Sequence, residues 1–100
     1  MLIWIPVDGN DEENSIITTL DELKAWALVE FNDGVVEKIE FSEQRESQDR
    51  FVEFIVVKNR YENTMEFMQE GMMVLVARYQ ESIEEIMESF KFKELDELGI

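Results

Sequence analysis

The run Leu2-Ile-Trp-Ile-Pro-Val7 stops abruptly at Asp8-Gly9-Asn10. An unbroken apolar run bounded by a turn signal reads as a strand buried on both faces, the kind found at the centre of a sheet. Such a strand must be covered from two sides, so the chain has to fold in layers. Pro6 has no N–H and should sit towards the end of the ladder, not in its middle.

The remaining elements follow in order. Residues 8–17 read as a polar loop. Thr19-Leu20-Asp21-Glu22 has the spacing of a capping box and predicts a single helical turn ending near Lys24. Residues 25–31 form a second strand. Asp33-Gly34 suits a type I′ hairpin turn, which needs positive φ at both central positions. Val35 to Phe41 returns as a third strand, whose Glu37, Lys38 and Glu40 suit a sheet edge. Residues 42–50 are polar throughout, a loop or a short exposed helix.

Phe51 to Val57 reads as a fourth strand and Gly71 to Ala77 as a fifth. Between them, Tyr61, Met65 and Met68 have i, i+4, i+7 spacing and predict one face of a crossover helix. Ser82-Ile83-Glu84-Glu85 is a second capping box. It opens a helix with the stripe Ile83, Ile86, Met87 and Phe90, and Phe92, Leu95 and Leu98 suggest a last turn folding back. Met65, Met68, Met72, Met73 and Met87 follow these stripes and strands, so they read as core packing and not as soft-metal ligands. Trp4 and Trp26 read as core on neighbouring strands.

Strands joined by a crossover helix run parallel with a right-handed connection. The expectation is therefore an α/β fold with a five-stranded mixed sheet of order 3-2-1-4-5. Strand two is antiparallel to its neighbours, and the arrangement is ribonuclease-H-like. One hundred residues suit one domain spanning 1–100.

Composition narrows the chemistry. There is no Cys and no His, which removes disulfides, thiol nucleophiles, zinc sites and an imidazole base. The net charge is -15, with 24 acidic side chains against 9 basic ones. That charge opposes nucleic acid and anionic membrane surfaces and favours a basic protein partner, while also serving solubility. No apolar run approaches the roughly 20 residues of a membrane span, and the first residues lack a signal-peptide pattern. A cytoplasmic location is expected.

Asp8, Asn10, Glu12 and Asn14 alternate like the start of a calcium loop. The glycine expected at the sixth position is Glu13, and the twelfth is Thr19, so a solvated loop is the better reading. Carboxylates are too many for any pair to stand out as an acid–base couple, and no metal site is expected. Lys58, Arg60 and Arg78 follow strands four and five, and Asp8 follows strand one. In an open parallel sheet these ends share one edge, where ligands bind at the topological switch. Asp8, Lys58, Arg60 and Arg78 are the candidate binding residues, for a compact anion.

Several segments also resemble a known family. Ile5-Pro6-Val7-Asp8 with a strand closed by Asp33-Gly34 is similar to the opening of the dinitrogenase iron–molybdenum cofactor family, which includes NifX, NafY and the C-terminal part of NifB. Phe51 to Val57 resembles its fourth strand, Glu70-Gly-Met-Met-Val74 its glycine-led strand, and Ser82 to Leu95 its terminal helix and tail. The resemblance implies a non-enzymatic domain that carries a small molecule or metallocluster. Family members commonly carry His-Phe-Gly-Arg before the second strand. Here that segment is Thr19-Leu20-Asp21-Glu22, so an anionic cofactor would meet carboxylates where the family offers a donor and a cation. The alternative expectation is a protein-interaction or regulatory domain that keeps the fold without a ligand.

Overall fold

The computed structural model describes residues 1–45 and 49–98. Part of the polar segment 42–50 therefore lies outside the described residues. The sheet has six strands in the order β3-β2-β1-β4-β5-β6. These are β1 (Leu2–Val7), β2 (Ala25–Asn32), β3 (Val35–Ser42), β4 (Phe54–Val57), β5 (Met73–Val76) and β6 (Asp96–Leu98). Two helices complete it, α1 (Met65–Gln69) and α2 (Ile83–Lys91).

β1 is central and buried along its whole length. It runs antiparallel to β2 and parallel to β4, and β4 is parallel to β5. Alternate residues serve opposite faces. Ile3, Ile5 and Val7 join Ala27, Val29, Val56 and Leu75 under Ile83, Ile86 and Met87 of α2. Leu2 and Trp4 join Trp26, Leu28, Ile55 and Val74 under Phe67 of α1. The two tryptophans meet edge-on, with ring centroids 5.8 Å apart. Pro6 pairs with Trp26 near the end of β1, beyond the two residues that pair with β4, and its carbonyl accepts the Thr18 N–H at 3.0 Å.

Asp33 and Gly34 both take positive φ, 55° and 78°, as the hairpin reading requires. Ser82 caps α2 as expected. Its hydroxyl accepts the Glu85 N–H at 3.0 Å, and the Glu85 carboxylate accepts the Ser82 N–H at 3.1 Å. The far end of α2 closes with the Glu94 N–H on the Ser89 carbonyl (2.9 Å) and the Lys93 N–H on the Phe90 carbonyl (3.2 Å). This is the Schellman pattern.

Several expectations about the elements need correction. The sheet gains β6, because the last segment does not simply fold back as a turn. Asp96, Glu97 and Leu98 pair with Val76, Leu75 and Val74, filling the edge that β5 would otherwise leave open. A three-residue strand carries too little alternation to be read from sequence. The crossover stripe also fails. α1 is one turn long, too short to own a face, and it buries Phe67 alone while Tyr61 is 90% exposed and Met65 62%. Met73, read as core, is 41% exposed at the start of β5. β4 and β5 are shorter than the apolar runs suggest. Phe51 is exposed, and at Glu53 the Leu2 N–H goes to the side-chain carboxylate at 3.0 Å while the Glu53 N–H still donates to the Leu2 carbonyl at 3.2 Å. Finally, the loop after β1 ends in structure: Ile17 is buried and bridges Val7, and Ile16 bridges Ser82.

Candidate functional site

Parallel β1, β4 and β5 end on one edge of the sheet, so Asp8, Lys58 and Arg78 each follow a strand end there. The chain leaves β1 towards β2 and leaves β4 towards β5. The switch in direction between β1 and β4 is where an open sheet leaves a crevice.

Two shallow grooves lie along this edge. One, of about 290 Å³, is lined by Asp8, Gly9, Asn10, Lys24, Ser42 and Glu43. The other, of about 560 Å³, includes Thr19, Asp21, Trp26, Arg45, Asn59 and Glu62. Asp8 belongs to the first. Its carboxylate accepts the Ile16 N–H at 2.9 Å, fastening the loop after β1. Asp11 does similar work: one oxygen accepts the Glu13 N–H at 2.9 Å and the other the Asn14 amide at 2.6 Å. Those bonds, the Glu13 N–H foremost, hold the Asp11 carboxyl below the usual carboxylate range. The loop's oxygens thus hold the loop itself. Among the described residues, no three acidic side chains are grouped to hold a metal ion.

The three predicted cations line neither groove. Lys58 and Arg60 project into solvent after β4. Arg78 is 2.9 Å from Asp96 at the start of β6 and donates to it through Nε at 3.0 Å. The Arg78 hydrogen bond lowers the Asp96 pKa first, and the fields of Arg78 and Arg60 add to it. Both arginines thus act on the charge of one carboxylate, and Arg78 alone is seen to bond it. Asp8 lines the first groove with Lys24. β6, invisible in the sequence, brings the acid that engages Arg78.

Two further residues shape this edge. Glu62 accepts the Leu20 N–H at 2.6 Å with one oxygen and the Asn59 N–H at 2.9 Å with the other. It ties the Thr19–Glu22 turn to the segment after β4. That turn is closed by the Glu22 N–H on the Thr19 carbonyl at 3.1 Å and is not helical. Arg45 lies 4.7 Å from the Phe67 ring centroid and 5.8 Å from that of Trp26, and pairs with Glu66 at 2.6 Å and Glu70 at 2.9 Å. Its hydrogen bond holds the Glu70 carboxyl below the usual range. Neither role has a signal in the sequence. Glu62 reads as one acid among many, and Arg45 falls in a polar segment.

Solved structures share this open mixed α/β sheet. The crystal structure of PH0822 superposes with a TM-score of 0.75 at 16% identity, over 97% of this chain and 96% of that one. A putative dinitrogenase from Methanocaldococcus jannaschii, MJ0327, gives 0.75 at 17% identity, over 99% and 95%. A putative NifB protein from Thermotoga, TM1290, described as a DUF35 member, gives 0.67 at 19% identity, over 97% and 92%. No family model matches the chain, and no curated protein matches it by sequence. At these identities the likeness is one of fold. No helix among the described residues is long and apolar enough to cross a membrane.

Proposed function

We propose that the chain is a non-enzymatic binding domain of the nitrogenase-cofactor-carrier type, with a ribonuclease-H-like sheet. Its ligand is a compact anion or metallocluster at the C-terminal edge of the parallel strands, held by Lys58, Arg60 and Arg78 beside the Asp8 loop. The observation that carries this reading is the strand order, which sends three ends of the parallel strands to one edge. The fold shared with MJ0327 and TM1290 supports it. Arg78 spends only part of its five-donor guanidinium on Asp96 and is 58% exposed, so donors remain for a ligand.

The second reading is a protein-interaction domain without a ligand. It is favoured by the Thr19–Glu22 turn, where Asp21 joins Glu62 and Glu66 around the larger groove. That acidic lining suits a basic partner better than an anion.

Calorimetric titration with molybdate, phosphate and citrate separates the two. The carrier reading expects binding that weakens with salt. It also expects a loss of about 1–3 kcal/mol per charge-assisted contact when Lys58 and Arg60 become Ala. If wild type binds none of the three below millimolar, or the double variant binds equally well, the interaction reading replaces it.

A further inference from the structure

The opposite edge of the sheet carries a groove of different character. It measures about 370 Å³, within the range of small-molecule pockets, and its walls are apolar: Phe31, Phe54, Leu75, Phe90 and Leu95. Phe90, from the last turn of α2, stands edge-on to Phe31 (5.4 Å, 87°) and to Phe54 (5.0 Å, 82°). The polar boundary is cationic on balance. Among the described residues, Lys91 and Lys93 line it against Glu97. In a chain of net charge -15, two of nine cations meet at one apolar groove. Among the described residues neither lysine is ion-paired; the Lys91 ammonium lies 5.5 Å from the Phe92 ring centroid.

Lys93 adds a separate observation. It occupies the position just past the C-cap of α2 with φ at 58°. This left-handed position favours glycine, because a Cβ there crowds the backbone. A lysine is the worse choice for the helix end, yet it puts a cation at the groove.

We infer that this groove binds an apolar carboxylate of medium acyl-chain length. The chain packs among Phe31, Phe54 and Phe90, and the carboxylate meets Lys91 and Lys93. A neutral apolar ligand would gain nothing from the two lysines. A second copy of this chain would bring a further -15 of charge against the same protein. The site is distinct from the anion edge and does not depend on it.

The test uses decanoate and decanol as probes, below their aggregation concentrations, read by calorimetry and amide chemical shifts. Decanoate should shift residues around 31, 54 and 90–95, and decanol should bind about tenfold or more weakly, since it lacks the charge-assisted contacts. Lys93→Gly is the decisive variant. It should raise the melting temperature by relieving the backbone and weaken decanoate about tenfold, leaving decanol unchanged. Lys91→Gln should weaken decanoate without raising the melting temperature. Phosphate should not compete, because its expected site lies on the other edge. The inference is overturned if decanoate does not bind, if decanol binds equally well, or if Lys93→Gly keeps full affinity for decanoate. Decanoate affinity that falls as protein concentration rises would assign the groove to a second copy instead.

Discussion

The two faces of the sheet are covered in opposite ways. α2 covers its face with nine residues, a capping box, a Schellman end and three fully inward side chains, Ile83, Ile86 and Met87, with Phe90 half-buried beside them. α1 covers the other with five residues and no side-chain cap, and it leans on Phe67. Trp26 meets Phe67 edge-on at 6.1 Å, and Arg45 lies over both rings. One cover is distributed and locally encoded. The other depends on one anchor and on contacts from distant segments. Cover by a single anchor fails at a single residue, whereas a stripe loses one contact at a time.

The largest effect should therefore come from the smaller helix. Phe67→Ala is expected to lose about 3–5 kcal/mol and to shift tryptophan fluorescence to the red as Trp4 and Trp26 become wet. Urea unfolding followed by fluorescence measures both. A small loss with unshifted emission would show that α1 is not the cover. Ile86→Ala removes one member of the α2 stripe and should cost about 2–4 kcal/mol, with the cooperativity of unfolding preserved. An unchanged urea midpoint would mean that α2 is not docked through Ile86.

A buried polar tie sharpens the contrast on the α2 side. The Gln80 amide donates to the Ser89 hydroxyl at 2.7 Å, and its carbonyl accepts the N–H groups of Arg78 at 2.8 Å and Tyr79 at 3.1 Å. Ser89→Ala strands the buried amide and should cost about 1–3 kcal/mol by thermal or urea unfolding. Ser82→Ala removes the cap and should cost about 1 kcal/mol. The Glu85 carboxyl is held below the usual glutamate range, first by the Ser82 N–H and then by the Glu81 N–H. A carboxyl depressed on folding stabilises above its unfolded range and loses that effect as pH falls through its folded one. Glu85→Gln should accordingly flatten the acid limb of the stability profile, and an unaltered limb would show that this carboxylate contributes nothing to it.

The same contrast governs what the sequence reveals. β1, the hairpin, the order 3-2-1-4-5 and α2 are all legible because their signals are local: an apolar run, Asp33-Gly34, a capping box, a helical stripe. α1 and β6 are stabilised by what they meet. The spacing of Tyr61, Met65 and Met68 imitates a stripe, but one turn of helix fully buries only Phe67, with Met68 packed partly beside it. Asp96 to Leu98 becomes a strand because β5 has an edge to fill. The candidate edge shows the same split. That Lys58 and Arg78 follow strand ends is readable from topology. The engagement of Arg78 by Asp96, the Glu62 tie and the Arg45 stack arise between residues 18 to 42 positions apart, which no local pattern encodes.

The central place of Leu2–Val7 has a consequence for how the molecule assembles. β2 and β3 find each other across a two-residue turn, whereas β1 pairs with residues 25–30 and then with 54–55. Closing such distant contacts is slow, and chain synthesis delivers the first strand before either partner. This fully buried strand is thus made before its partners and is among the last enclosed, the circumstance in which nascent chains aggregate or recruit chaperones. Pulse-labelled amide exchange during refolding should protect residues 27–41 before residues 3–5; the reverse order would mean that β1 nucleates the sheet instead of waiting for it.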